Sequence, residues 1–397
     1  MSNNFQASAR VNAMSVSSTA AVVMEVERLK SQGIEVIDFG AGEPDFPTPE
    51  NIKQAAHRAI DANFTKYTAT AGTVELKRAI INRIESDFGV SYTPQQVITS
   101  IGGKQVLFNA IVSLIDPGDQ VLIPSPYWVT FPEIVYFAGG EPVLIDTESN
   151  GFQLTAEMVE EKITPRTKLL ILNSPCNPSG RVIPTDEFLR IAELAISRGL
   201  YIISDECYVK FTYPPYEPFS AATLPEELRL RTLIAGTFSK TYAMTGWRIG
   251  YALGPAEWVS AMLKVQSHST SNPTSISQKA AIEAFTGPQE SVREMLDEYK
   301  RRRDWLIPAL NNIPGVTCAM PEGAFYAYPN VKAVLEHSSI KTSKDLEIAL
   351  LKEAHVALTA GSAFGTEGYL RLSYANSLDT IKRGVEQMHS FISKLMA

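Results

Sequence analysis

Cysteine is scarce in this 397-residue chain: Cys176, Cys207 and Cys318 make an odd count with no CxxC spacing. That excludes a disulfide framework and fits a reducing compartment, so a cytoplasmic protein is expected. Histidine is nearly as sparse, with His57, His268, His337, His355 and His389 scattered along the chain. No two of them stand at i and i+4, which leaves a structural zinc site or a histidine-based triad without support, and no metal is expected. No apolar run approaches the ~18–20 residues of a membrane span. The short patch Ala20 to Met24 is followed at once by Glu25 and Glu27, so it does not read as a signal peptide. Residues 1–24 carry Arg10 as their one basic side chain and read as an ordered N-terminal arm. Long Lys/Arg runs are missing too, and a formal net charge of −7 argues against a nucleic-acid footprint. The densest basic cluster, Arg301-Arg302-Arg303, follows Glu298 in a helical pattern and reads as a solvated helix face.

What is present is an ordinary core and a regular alternation. Hydrophobic residues make up 45% of the chain, and its length allows roughly two domains. Apolar runs of strand type occur at Val97-Ile98-Thr99, Val121–Ile123, Val143–Ile145, Leu169–Leu172, Leu200–Ile203, Leu233–Ala235 and Trp247–Tyr251. Helical patterns fall between them, one from Lys104 to Leu114 and one from an N-cap at Thr185 to Gly199. This alternation predicts a mostly parallel sheet with helices on both faces. In such sheets ligands bind at the carboxyl ends of the strands. From about Glu290 the texture changes to a long charged helix, shorter elements and a final amphipathic helix, Leu378 to Leu395, which reads as a second, smaller domain joined by the N-terminal segment.

The polar punctuation falls at strand ends. Lys240 follows the apolar run Leu233-Ile234-Ala235 and sits among Thr237, Ser239 and Arg248. Those three could hold a phosphate dianion, since the planar fork of an arginine suits phosphate oxygens. Asp205 ends another apolar run, where it either caps the next turn or serves a buried cation. A lysine and an aspartate in these positions are costly to bury without partners. Pyridoxal 5′-phosphate would supply both, an aldehyde for the amine and a pyridinium for the carboxylate. Ser100-Ile101-Gly102-Gly103-Lys104 is a strand–turn–helix junction whose N–H groups could meet a phosphate, or a plain tight turn. Asn177, in Asn173-Ser-Pro-Cys-Asn177-Pro-Ser-Gly180, and Tyr208 could reach a phenolic oxygen. Trp128 either packs in the core or stacks on a flat ring.

Together these segments resemble the class I/II aminotransferases of the aspartate aminotransferase fold. The matching stretches are AGEPDFPTP (41–49), KYTATAG (66–72), GGKQ (102–105), SPYW (125–128), NSPCNPSG (173–180), SDECY (204–208), SKTYAMTGWRIGY (239–251), GAFY (323–326) and YLRLSYA (369–375), spanning nearly the whole chain. The resemblance implies the α/β type I fold of pyridoxal-phosphate-dependent transferases. Its large domain holds a mostly parallel seven-stranded sheet and its smaller α/β domain lies beside it. The implied boundaries are 1–45 for the N-terminal arm and part of the small domain, 46–290 for the large cofactor-binding domain and 291–397 for the small C-terminal domain. It implies that Lys240 forms the Schiff base and then moves the substrate's α-proton, with Asp205 on the pyridinium nitrogen and Tyr208 and Asn177 at the phenolic oxygen. Trp128 would stack on the ring. Gly102, Gly103, Lys104, Thr237, Ser239 and Arg248 would surround the phosphate, with Tyr67 entering from the other subunit of a homodimer with shared active sites. Arg371 would clamp the α-carboxylate, assisted by Gly42 and Asn177.

The substrates implied are an amino acid and a 2-oxo acid, exchanged by ping-pong kinetics. Many dicarboxylate-specific members meet the second carboxylate with an arginine of the partner subunit. The corresponding stretch here, Ser267-His-Ser-Thr-Ser-Asn272-Pro-Thr, has none. Lys104, with Ser17, Ser18 and Thr19, resembles instead the bacterial-type branch that takes aspartate and 2-oxoglutarate. The hydroxyls of that trio would serve equally well as helix caps. An aromatic, kynurenine-type or prephenate aminotransferase, with room near Phe325 and Tyr326, or a lyase on the same fold, is the alternative. A cofactor-binding regulator without turnover is opposed by the presence of Lys240, Asp205 and Arg371 together.

Overall fold

The structure, a computed structural model, describes residues 5–15 and 18–397. In chain order its strands are β1 (Ile37–Asp38), β2 (Val97–Ser100), β3 (Gln120–Ser125), β4 (Glu141–Asp146), β5 (Thr167–Asn173) and β6 (Tyr201–Asp205). They continue with β7 (Thr232–Thr237), β8 (Gly250–Leu253), β9 (Tyr326–Ala327), β10 (Val356–Ala357), β11 (Thr359–Ala360) and β12 (Leu370–Ser373). Among the described residues, seven strands form the main sheet in the order β2-β8-β7-β6-β5-β3-β4. Strand β8 runs antiparallel to both its neighbours, β2 and β7. The other neighbours pair in parallel. This is the mostly parallel seven-stranded α/β sheet that the strand–helix alternation and the family resemblance imply.

Both faces of the sheet are buried, which is why its strands read as continuous apolar runs. Leu170, Leu172, Ile202 and Ile234 point into one core, and Leu169, Ile171, Ile203 and Leu233 into another on the opposite face. The alternation within each strand is the two-residue period of an extended chain. Helices flank the strands with local stop and start signals. Thr73 caps the helix Val74–Phe88, its hydroxyl accepting from the Leu76 N–H at 3.3 Å, and Gly89 at φ 73° ends it.

A third core gathers the C-terminal elements with the N-terminal segment. Strands β11, β12 and β9 form an antiparallel sheet there, while β1 pairs in parallel with β10. The 22-residue helix Glu290–Asn311 and the helix Leu378–Met396 pack around them.

Three expectations need correction. Trp247–Tyr251 is not a strand throughout: Thr245–Trp247 is a 3-10 turn, Arg248 takes φ 53°, and β8 starts at Gly250. The turn brings Arg248 back over the preceding loop, where its Nη1 donates to the Thr245 carbonyl at 2.8 Å. Thr185 is not an N-cap but the first residue of the helix Thr185–Ser197, with Pro184 in the capping position. Proline has no N–H to leave unpaired, and it fits just ahead of a first turn. The triple arginine is not one solvated face. Arg301 is exposed and paired with Glu298, but Arg302 and Arg303 are buried. Successive helical residues point about 100° apart, so three in a row cannot share a face. Arg302 bonds Asp45 at 2.7 Å, and Arg303 donates to the Pro321 carbonyl at 2.9 Å while lying over the Tyr213 ring.

Glu322, just ahead of β9, ties the C-terminal core to the main sheet. Its buried carboxylate accepts from Arg181 Nη1 at 2.6 Å, the Val182 N–H at 2.8 Å and the Tyr216 hydroxyl at 3.0 Å. Removing one partner of a buried pair strands the other charge and its donors. Glu322→Ala is therefore expected to lower the unfolding free energy by about 3 kcal/mol, read from urea titration. A loss under about 1 kcal/mol would show that solvent replaces these bonds.

Candidate active site

The carboxyl ends of β5, β6 and β7 open into a cavity of about 600 Å³. Asn173, Asp205 and Thr237 are the last residues of those strands. The register places Asn173 directly beside Asp205. The helix Gly103–Val112 points its first turn at the same space. The C-terminal core closes the cavity with Tyr326 from β9 and Arg371 from β12, and the N-terminal segment adds Gly40 and Gly42.

Lys240 lies on the connection between β7 and β8 and lines the cavity. Its Nζ donates to the Gly42 carbonyl at 2.5 Å. Burial pushes the ammonium's pKa down, with the charges of Arg371 and Arg248 adding to the effect. Asp205 is 7% exposed and accepts one backbone bond, from the Cys207 N–H at 3.1 Å. Burial raises its carboxyl to about 7. The Asn173 side chain organises this corner, donating to the Asp205 carbonyl at 3.2 Å and accepting from the Asn177 N–H at 2.9 Å.

A second corner gathers donors around a glycine turn. Thr237 Oγ1 donates to Ser239 Oγ at 2.9 Å and accepts from the Ser239 N–H at 3.2 Å. Gly102, at φ 94°, allows Arg248 in: a Cβ there would stand 2.6 Å from Arg248 Nη2. No L side chain suits that backbone conformation or that distance. Lys104 has its ammonium 5.1 Å from the centroid of the Trp128 ring, and burial, then the charge of Arg248, lowers its pKa.

Arg371 is 3% exposed. Its Nη1 donates to Asn177 Oδ1 at 3.1 Å and its Nη2 to the Gly40 carbonyl at 2.8 Å, while among the described residues Nε has no partner. The guanidinium lies over the rings of Tyr326 and Phe364. Tyr208 shares a hydrogen bond with Tyr326, hydroxyl to hydroxyl, at 2.7 Å.

The fold thus gathers Gly42, Gly103, Lys104, Trp128, Asn177, Asp205, Tyr208, Thr237, Ser239, Lys240, Arg248 and Arg371 around one cavity. Gly102 stands behind it, against Arg248. Tyr67 is not in this chain's cavity and is 92% exposed. Ser17 and the side chains of Ser18 and Thr19 lie outside the described residues. Asn173, Cys207, Gly40 and Met24 also line the cavity and do not emerge from the sequence reading. Asn173 carried a signal, a polar residue ending an apolar strand beside another such strand. Cys207 carried none; burial raises its thiol, so it stays protonated. Among the described residues no cluster of His, Cys, Asp and Glu could hold a metal ion.

A half-buried amine whose pKa is lowered and a buried carboxyl, at the carboxyl edge of a parallel sheet, are the parts of an enzyme that works through amine chemistry. Residues 34–388 match the family model described as aminotransferase class I and II, and the chain belongs to that family. It is similar to the aspartate aminotransferase of Geobacillus stearothermophilus, 44% identical over 96% of this chain and 98% of that protein. An aspartate/prephenate aminotransferase of Cereibacter sphaeroides is 45% identical over 96% of each chain. The crystal structure of the aspartate aminotransferase from Rhizobium meliloti superposes with a TM-score of 0.95 at 42% identity, covering 99% of this chain and 100% of that one.

The raised Asp205 carboxyl has a pH signature in the protein without ligand. Between about 3.8 and 7 the folded chain keeps a proton that the unfolded chain has lost, so this group's contribution to stability falls as pH rises through that window. Asp205→Asn is expected to remove that share of the slope. In urea titrations the variant should gain on the parent from pH 4 to pH 7, by about 1–4 kcal/mol. A constant difference across the window would show that Asp205 ionises freely.

Proposed function

We propose that this aminotransferase carries pyridoxal 5′-phosphate in the cavity and exchanges the amino groups of L-aspartate and 2-oxoglutarate. The single observation that carries the reading is the pair of half-buried Lys240 and buried Asp205, each bonded to backbone rather than to a counter-charge. The residues present fit the cofactor. A pyridinium beside Asp205 would supply the cation its carboxylate lacks, pulling the carboxyl down from about 7. Thr237, Ser239, Gly103 and Arg248 form a donor corner suited to a phosphate, and Gly102 makes the room. Tyr208 and Asn177 are the donors available for the phenolic oxygen, and Trp128 offers a ring face. A volume of about 600 Å³ is within the usual range for a bound cofactor and a small substrate.

Bound there, the cofactor supplies an aldehyde that captures the amino group and a protonated ring that accepts electrons from the substrate's Cα. Lys240, its pKa lowered by burial, would be the base that takes the proton from Cα and returns one. Asp205 keeps the ring nitrogen protonated while charge develops. Arg371 Nε, buried and without a partner among the described residues, is the open donor for the α-carboxylate, and Asn177 holds the same guanidinium in place. Lys104 is the cation offered to the second carboxylate, its ammonium 5.1 Å from the centroid of the Trp128 ring. The names of the relatives support aspartate as donor. The relative named for prephenate, together with the aromatic wall of Trp128 and Tyr326, favours prephenate as a second acceptor to be tested. We propose further that the chain works in the cytoplasm as a homodimer with shared sites. Three free thiols support the first, and a fully projecting Tyr67, available to a partner's cavity, the second.

Purified protein should be yellow, and an amino donor should bleach the band. Lys240→Ala is expected to lower turnover at least about 10⁴-fold and to leave no cofactor adduct at residue 240 after borohydride trapping; full activity would refute the assignment. Lys104→Ala should raise KM for aspartate by about tenfold or more while altering that for alanine little. Equal effects on both donors would remove Lys104 from recognition of the second carboxylate. A donor panel of aspartate, alanine, kynurenine and phenylalanine with 2-oxoglutarate separates the substrate readings.

A further inference from the structure

Two phenols meet in the cavity wall, and they come from different parts of the fold. Tyr208 follows β6 of the main sheet, whereas Tyr326 begins β9 of the small antiparallel sheet. Their hydroxyls are 2.7 Å apart, both side chains are buried, and among the described residues neither hydroxyl has another hydrogen-bond partner. Each oxygen carries one proton, so the bond runs either way until something else claims one of them.

Three features fix the direction. If Tyr208 gives its proton to an anionic oxygen in the cavity, it can only accept from Tyr326. The guanidinium of Arg371, 4.7 Å from the Tyr326 ring centroid, draws electron density from that phenol. Burial raises both phenols and Arg371 pulls both back; because the guanidinium lies against the Tyr326 ring, that hydroxyl is the better donor. Finally, the Tyr326 hydroxyl is held in place: a Cβ on Gly42 would stand 2.7 Å from it, and the Gly42 carbonyl receives Lys240. The charged and titratable groups facing the pair are Arg371 from β12 and Cys207 beside Tyr208.

We infer that Tyr326 is a positioning residue for the reaction: its hydroxyl donates to Tyr208, committing the one Tyr208 proton to the phenolic oxygen of the bound cofactor. This rests on the pyridoxal 5′-phosphate reading given above. The rings meet edge to face at 5.6 Å, so the contact survives loss of one hydroxyl, and Tyr326→Phe removes the proton without emptying the core.

The test compares the parent, Tyr326→Phe, Tyr208→Phe and the double variant, each reconstituted with pyridoxal 5′-phosphate. Two quantities are read, the pH midpoint of the visible band and the dissociation constant of the cofactor from the apoprotein. Weakening a donor to an anionic oxygen disfavours the more negative state, so the midpoint rises. Tyr326→Phe is expected to raise it by about 0.5–1 pH unit and to loosen the cofactor about 3–10-fold. In the Tyr208→Phe background the same change should add almost nothing, because the relay is already broken. An unmoved midpoint in Tyr326→Phe, or equal shifts in both backgrounds, overturns the inference. A parent protein that shows no visible band with the cofactor sinks the cofactor reading instead, so the two failures are distinct.

Discussion

The cavity depends on two ionisable side chains, Lys240 and Asp205, that the fold holds without letting them pair. Lys240 donates a hydrogen bond to a backbone carbonyl, and Asp205 accepts one from a backbone N–H. In a dry environment each would gain from pairing with the other, and among the described residues no ion pair joins them. The cost appears as a lysine displaced towards its neutral form and an aspartate displaced towards its protonated form. A ligand electrophilic at one end and cationic at the other would use the first displacement and reverse the second. Binding energy is thereby stored in the protein ahead of the ligand, in the preorganised sense that makes a site selective.

Rigid elements hold this arrangement. Asn173 and Asp205 are neighbours by sheet register, so their separation is set by hydrogen bonds between β5 and β6 and not by a loop. The wall opposite comes from the smaller sheet, where Arg371 in β12 lies against Tyr326 in β9. The buried Glu322–Arg181 pair and the Arg302–Asp45 pair keep the C-terminal core seated on the rest.

Much of this is legible in the sequence, and the reason is local. Leu169–Leu172 and Ile202–Ile203 are apolar on both faces because helices cover the sheet on both sides, so the runs announce themselves. Asp205, Lys240 and Arg248 stand out because charge at the end of such a run needs a partner. The failures are equally physical. Arg302 and Arg303 look solvated because Asp45 and the Pro321 carbonyl, which receive them, are distant in sequence. Trp247–Tyr251 looks like a strand because an arginine at positive φ leaves no mark on an apolar pattern. The hydroxyl bond between Tyr208 and Tyr326 spans two sheets, and no spacing rule reaches that far.

One reversal in the main sheet has a wider consequence. Because β8 returns alongside β7, the start of β8 lies at the same edge as the end of β7, with Gly250 opposite Thr237. Thr237, Ser239, Lys240 and Arg248 therefore ride on a single hairpin connection, where a parallel crossover would have sent the chain to the far side of the molecule. The Lys240 amine and the donor corner of Thr237, Ser239 and Arg248 are thus mechanically one part. Inserting or deleting a residue between them would misplace both, so drift in this loop is confined to exchange of side chains at constant length.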